Sequence, residues 1–474
     1  MSEEPSGANL EGETPVVEDV VETDEATITD DAELERTLGL AGGLAIGIGT
    51  MIGAGIFVFP GLAGAEVGTA ATASFAIGGF IALLVALPTS ELATAMPKSG
   101  GGYYFISRGL GTLAGTVVGL SLWLGLVFAT AFYLVGLGYY ALDALAEIGI
   151  VVGASSGVIV SALAVLFGIG FTVLNVTGTE NAAKLQNGIV ALLLSMLTVF
   201  LAFGLLDAFG FVDAGTPPGE AANVWEVVPI MSVAALVFTS YLGFAQVATV
   251  AGEMKQPGRN LPLAMIGSVV IVTVMYVLTI FVSTSVFTQD ALAAAGQTAM
   301  VEVGRQLLGT AGALVIIAGG LLATMSSANA SILSTSRAIY GVSKDALLPR
   351  EASRINLKYG TPHVALGMAG GPVIALAATR QVQLLAEVAS FLHLIMYGLM
   401  CVALLAIRRD EPEWYDPDFQ VPGGAVIPVV GALASFGLIA FMNLRSILVG
   451  SGVILVTVGW YLYYARDVRL KGVL

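Results

Sequence analysis

The sequence predicts an all-α membrane protein of twelve transmembrane helices, and three observations carry that prediction. Of 474 residues, 56% are hydrophobic and only 11% charged, with a mean hydropathy of +0.88, whereas soluble domains carry about 25% charged residues. After residue 36 the chain divides into twelve apolar segments, each near the roughly 20 residues that a spanning helix needs. Lysine and arginine fall almost wholly on one set of alternating connections and ends, the asymmetry that orients membrane helices.

The net charge of −15 belongs mostly to the first 36 residues, which hold thirteen acids and one base, Arg36. This tail is polar and has no apolar periodicity, so it reads as a disordered cytoplasmic tail. It lacks a basic stretch followed by an apolar one, and is not expected to be a signal peptide. The lone cysteine, Cys401, excludes an intrachain disulfide and a thiolate metal site. Two histidines, His363 and His393, are too few for a histidine-based metal centre without carboxylate help.

The apolar segments run approximately 38–62, 69–96, 112–142, 156–175, 187–209, 229–252, 263–287, 310–340, 363–379, 384–407, 425–442 and 446–465, the ninth being the shortest. One set of alternating connections and ends carries sixteen bases: Arg36, Lys98, Arg108, Lys184, Lys255, Arg259, Arg337, Lys344, Arg350, Arg354, Lys358, Arg408, Arg409, Arg466, Arg469 and Lys471. The opposite set carries three, Arg305, Arg380 and Arg445. Both termini are therefore expected in the cytoplasm, and Asp207, Asp213, Glu220 and Glu226 fall in a base-free outer loop.

Segment one contains Gly47, Gly49, Gly53 and Gly55, four glycines in nine residues. Each glycine costs a helix about 1 kcal/mol relative to alanine. Close helix contact is one reading, because Gly43/Gly47 and Gly49/Gly53 are small-xxx-small pairs. The other is a broken helix, whose freed backbone groups survive in hydrocarbon only where they line a cavity or meet a ligand. Segment six reads Phe238-Thr239-Ser240-Tyr241-Leu242-Gly243-Phe244, with a glycine and three polar side chains at mid-membrane depth. Segments one and six open two five-helix halves, 38–209 and 229–407, within a core of 37–410. Interrupted segments at matching places in two halves point to a midplane site between inverted repeats. Residues 411–474 add a cytoplasmic loop and helices eleven and twelve, which read as scaffold or dimer surface in a monomer or homodimer.

Several motifs keep their order along the chain. They are Gly49-Thr-Met-Ile-Gly-Ala-Gly-Ile-Phe57 followed by Pro60; Glu91-Leu92 and Pro97-Lys-Ser-Gly-Gly-Gly-Tyr103; Gly243-Phe244 and Glu253-Met-Lys-Gln-Pro-Gly-Arg-Asn-Leu-Pro262; and Ser336-Arg337, Tyr340 and Lys344-Asp-Ala-Leu-Leu-Pro349. On these residues the chain resembles the amino acid–polyamine–organocation superfamily of permeases, and its amino acid permeases in particular, the cationic amino acid transporter branch included. The resemblance implies the leucine-transporter fold, with a 5+5 inverted repeat and broken helices one and six. It also implies a secondary transporter of amino acids working by alternating access, with an amine or polyamine permease as the alternative within the same fold.

An amino acid zwitterion needs donors for its carboxylate and acceptors for its ammonium. N–H groups from Met51, Ile52, Gly53, Ala54, Gly55, Ile56 and Phe57, backed by the positive end of a helix dipole, suit the carboxylate. Carbonyls of Phe238, Thr239, Ser240 and Tyr241 suit the ammonium, and Gly243 belongs to the same substrate-binding stretch. The side chains of Thr239, Ser240 and Tyr241 either line the cavity or pair with backbone, and Phe244 is either a gate or ordinary packing. Related sequences carry a carboxylate after this Gly-Phe pair, where this chain has Ala245 and Gln246; no acid there recognises a proton or a cationic side chain.

The resemblance to sodium-coupled relatives implies a cation site from the carbonyls of Gly49, Ile52 and Ala323 and the hydroxyls of Ser326 and Ser327. Oxygen-only ligation suits a hard cation, and the alternative is that the serines bond back to their own helix. Proton-coupled relatives place a lysine on helix five, where this chain has Ala191 to Leu194, so sodium is favoured over the proton and no other cofactor is expected. Glu91 is expected to pair with a base or helix terminus on the cytoplasmic side, and His393 to pack as a neutral imidazole. A channel would want charge rings or repeated filter carbonyls, and a membrane enzyme a nucleophile or acid–base cluster; the sequence offers neither. The expected partners are a small amino acid and the lipid bilayer, with no nucleic acid, in a multi-pass protein of the cell membrane.

Overall fold

In the computed structural model, which describes residues 36, 38–97, 101–150, 155–177, 182–212, 225–356 and 361–468, helices follow one another without strands among the described residues. The acidic tail before Arg36, the bases Lys98, Lys358, Arg469 and Lys471, and the outer-loop acids Asp213 and Glu220 lie outside the described residues. The helices are α1 (Leu40–Ile52), α2 (Gly55–Val67), α3 (Ala71–Ala95), α4 (Gly101–Glu147), α5 (Ser156–Thr177), α6 (Ala182–Ala208), α7 (Val227–Val237), α8 (Phe244–Thr249), α9 (Pro257–Val286), α10 (Gln289–Ala295), α11 (Ala299–Lys344), α12 (His363–Ala377), α13 (Val382–Asp410), α14 (Val426–Ile439) and α15 (Leu444–Trp460).

Among the described residues nine helical runs are long and apolar enough to cross a membrane, and α12 and α14 are shorter apolar helices. Two of the nine span 56 residues each, Leu40–Ala95 and Gln289–Lys344. A straight helix of that length would reach about 84 Å, far beyond the roughly 30 Å hydrocarbon core. Backbone breaks divide them. Gly53 (φ 26°) separates α1 from α2, and Gly68 (φ 58°) turns α2 into α3. Gly309 (φ 64°) kinks α11, as Gly111 (φ 82°) kinks α4. The outward faces are greasy: Leu166, Val199 and Leu455 are 62%, 69% and 72% exposed, which is stable only against lipid.

The interior is built on two packed groups. α3 lies along α9, which also carries α1, while α4 runs between α11 and α13. α7 and α8 meet elements of both. Helix six is interrupted where Phe238–Tyr241 form a 3₁₀ turn between α7 and α8, so both interruptions that the sequence predicts are present. His393 is packed as expected, its Nδ1 2.8 Å from the carbonyl of Ala389 one turn earlier.

Near one end of the bundle, the fully buried carboxylate of Glu91 on α3 gathers four donors. Arg408 grips it from α13 with Nη2 and with Nε at 2.6 Å, the Tyr415 hydroxyl donates to Oε1, and the Val421 amide donates to Oε2 at 2.6 Å. Burial, and then the hydrogen bond to Glu91, push the Tyr415 phenol up to about 12, so it stays a donor at any physiological pH. The segment between α13 and α14 is thus strapped across the C-terminal end of α3. Removing one partner of such a pair leaves an uncompensated buried charge, at a cost of about 3–5 kcal/mol. Arg408→Met should therefore lower the thermal midpoint in detergent sharply, and adding Glu91→Gln should recover most of the loss. An unchanged midpoint in Arg408→Met would refute the strap.

Candidate functional site

At the first interruption α1 ends at Ile52 and α2 begins at Gly55, with Gly53 held at φ 26°, ψ −145°. Ala54, in the capping position of α2, has no side-chain acceptor for the amides that open the helix, and the first turn contains no acid. Ala54, Gly55 and Ile56 are all buried. The Phe57 amide, expected to face the solute, instead donates to the Ala54 carbonyl at 3.2 Å; the amides before it form a buried helix start without an acidic or polar cap, an arrangement suited to an anion.

Carbonyls at and beside the two interruptions are met by tyrosines from surrounding helices. Tyr276 on α9 donates to the Met51 carbonyl at 2.7 Å, with the Ile52 carbonyl at 3.5 Å. Tyr140 on α4 donates to Phe57 at 2.8 Å, and Tyr397 on α13 to Leu242 at 3.0 Å. All three tyrosines are fully buried. The sequence reading did not single them out. The signal is a phenol in a largely apolar span, which must find an acceptor in a medium without water.

The predicted residues of helix six converge on the first break. Gly243 lies so close to helix one that a Cβ there would stand 2.7 Å from the Met51 nitrogen and 2.8 Å from the Gly47 oxygen. Tyr241 turns away: its hydroxyl donates to the Phe75 carbonyl on α3 at 2.8 Å, and its ring lies 5.5 Å from that of Tyr276. Phe75 stacks on Tyr276 at 5.1 Å. Thr239 Oγ1 is buried and makes no hydrogen bond, while the buried Ser240 hydroxyl meets that of Tyr276, so neither is consumed by its own helix. Phe244 opens α8 with its ring 5.0 Å from Tyr397.

Among the residues expected to hold a cation, Ser327 on α11 reaches the broken helix. Its Oγ lies 3.5 Å from the Gly49 carbonyl, and a Cβ on Gly53 would stand 2.9 Å from the same atom. Ala323 and Ser326 are buried on the adjoining turn of α11, and the Ile52 carbonyl faces Tyr276. Two oxygens about 2.3–2.6 Å from one hard cation stand about 3.3–3.7 Å apart when at right angles, so the Gly49–Ser327 spacing fits a shared ion.

Gly55 is the tightest point. A Cβ built on it would lie 2.1 Å from Ser240 Oγ and 2.4 Å from Tyr276 Oη. Gly55→Ala is therefore expected to abolish solute binding at a stability cost of about 1–3 kcal/mol, typical of overpacking. Binding assays on folded, monodisperse protein check this, and wild-type affinity in the variant would refute the placement.

A family model described as amino acid permease matches residues 38–463. The chain is 26% identical to the branched-chain amino acid permease BcaP of Bacillus subtilis, over 93% of this chain and 94% of the relative. It is 25% identical to the serine/threonine exchanger SteT of the same organism, over 86% and 91%. Over 91% of this chain and 82% of the relative, it is 25% identical to the human Asc-type amino acid transporter 1. With most of its length matched and its interrupted helices where that resemblance requires them, the chain belongs to the amino acid permease family of the amino acid–polyamine–organocation superfamily, a multi-pass membrane transporter and not an enzyme.

Proposed function

We propose that the protein is a secondary active transporter for neutral amino acids, working by alternating access around the two helix interruptions. One observation carries the reading: the uncapped, buried start of α2 faces the 3₁₀ turn of helix six across Gly55. In this reading the amides from Met51 to Phe57 receive the carboxylate, carbonyls of Phe238 to Tyr241 receive the ammonium, and Phe244 gates the site. The chain crosses the cell membrane twelve times, in two inverted five-helix halves plus two further helices, with both termini in the cytoplasm.

Neutrality follows from charge. α1, α2 as far as Ala65, α7, α8, α9 beyond Asn260 and α11 between Arg305 and Arg337 contain no charged side chain. A cationic substrate side chain would be desolvated beside them without a counterion, at a cost of several kcal/mol. The branched-chain and serine/threonine specificities in the names of two relatives support the same choice. Protein in liposomes loaded with one amino acid should accumulate the same radiolabelled amino acid by counterflow without ATP. Leucine, alanine, serine and threonine should compete and arginine should not. Failure of counterflow with all twenty amino acids, or exchange of amines alone, would overturn the assignment.

Sodium is the proposed coupling ion, with Gly49, Ile52, Ala323, Ser326 and Ser327 as its oxygen donors; when bound it would supply positive charge beside the break in helix one. The spacing of Gly49 and Ser327 supports this. Ser326→Ala/Ser327→Ala should raise the sodium concentration for half-maximal uptake about tenfold, as expected for loss of ligands worth about 1.4 kcal/mol. Uptake that ignores sodium and follows a pH gradient would refute it.

A further inference from the structure

The strap at the C-terminal end of α3 joins parts of the molecule that belong to different packing groups. Glu91 and Thr94 sit on α3, in the group that also holds α1 and α9. Their partners come from α13, which packs along α4, and from the chain that follows it. Besides Arg408, Tyr415 and Val421 at the Glu91 carboxylate, the Phe419 amide approaches Thr94 Oγ1 at 3.4 Å. Next to Phe419, Asp418 lies against α9, where a Cβ on Gly258 would stand 2.2 Å from its Oδ2. Arg408 also donates to the Gly424 carbonyl at 2.6 Å, holding the far end of the same segment. The pairs of Arg305 with Glu147 and Glu302, in contrast, stay inside the second group.

This cluster is buried on one side and wet on the other. Glu91 is fully buried, whereas Arg408 and Tyr415 are partly exposed and Asp418 is exposed. While the carboxylate stays dry, nothing replaces the donors it would lose, so the cluster resists parting. Water entering from that end supplies substitute hydrogen bonds, and the same groups then separate at little cost. We propose that the strap is a releasable latch: engaged, it holds the two packing groups together at the C-terminal end of α3 and shuts that end of the transport path, and it lets go each time the path opens there. This extends the alternating-access reading above and rests on it.

The test uses the full chain carrying Cys401→Ala and one reporter, Ser331→Cys. Ser331 lies one helical turn beyond Ser327 on the same face of α11 and is 1% exposed, so a maleimide reaches that position only when the groups part. Tyr415→Phe removes one donor from Glu91 and keeps the ion pair. A hydrogen bond to a charged group is worth roughly 10- to 100-fold in an equilibrium constant, and labelling follows the population of a minor open state. Maleimide labelling of the reporter in purified protein should therefore be at least about tenfold faster in Tyr415→Phe. In a second arm, Thr94→Cys with Phe419→Cys, joined by oxidation, should stop counterflow, and a reductant should restore it. A disulfide that leaves counterflow running, or labelling unchanged in Tyr415→Phe, would overturn the latch and leave the transporter assignment standing. Absence of counterflow in the wild type would count against that assignment, and the labelling arm would still decide the latch.

Discussion

A membrane interior offers no water to a backbone polar group, so every break in a spanning helix must be answered by another part of the protein or by a ligand. This chain breaks two helices and answers them unequally. The carbonyls of Met51, Phe57 and Leu242 are each met by a phenol from a neighbouring helix. The amides that open α2 receive no side-chain cap. Three acceptors are thus satisfied from within, while the buried start of α2 has neither a side-chain cap nor, among the described residues of its first turn, an acid.

The surrounding architecture serves this centre. Aromatic rings from four helices, Phe75, Tyr241, Tyr276 and Tyr397, pack around the interruptions at centroid spacings of 5.0 to 6.3 Å together with Phe238 and Phe244. Their packing keeps the local dielectric low, which strengthens each dipole at the interruptions. Farther out, charged groups sit near helix ends and pair there, as Glu91 does with Arg408 and Arg305 with Glu147 at 2.8 Å. Charge is confined to the bundle's ends, and the middle works with main-chain and hydroxyl dipoles.

Much of this was legible in the sequence because its signals are local. The glycines at 47, 49, 53 and 55 and the Phe238–Phe244 stretch announce two breaks by composition alone, and Glu91 announces a buried ion pair. Which partner answered each group was not legible, because contacts between residues far apart in the sequence leave no local pattern. Tyr276 meets Met51 across 225 positions and Tyr140 meets Phe57 across 83. Tyr241, grouped with Thr239 and Ser240 by adjacency, proved different from them. In a 3₁₀ turn successive side chains point about 120° apart, so its phenol reaches α3 while Ser240 reaches α2. The bends at Gly68 and Gly309 were legible only as glycines, since nothing in the surrounding composition separates a bend from a close packing contact.

The absence of a side chain at Gly243 has a mechanical meaning as well as a steric one. A Cβ at residue 243 would meet the main chain of Gly47 and Met51 as well as the Met51 side chain, so the two interrupted helices touch there largely through backbone. Side chains can rotate to absorb displacement, but peptide planes in contact cannot. A shift in either segment would therefore be passed to the other through main-chain contact at a glycine.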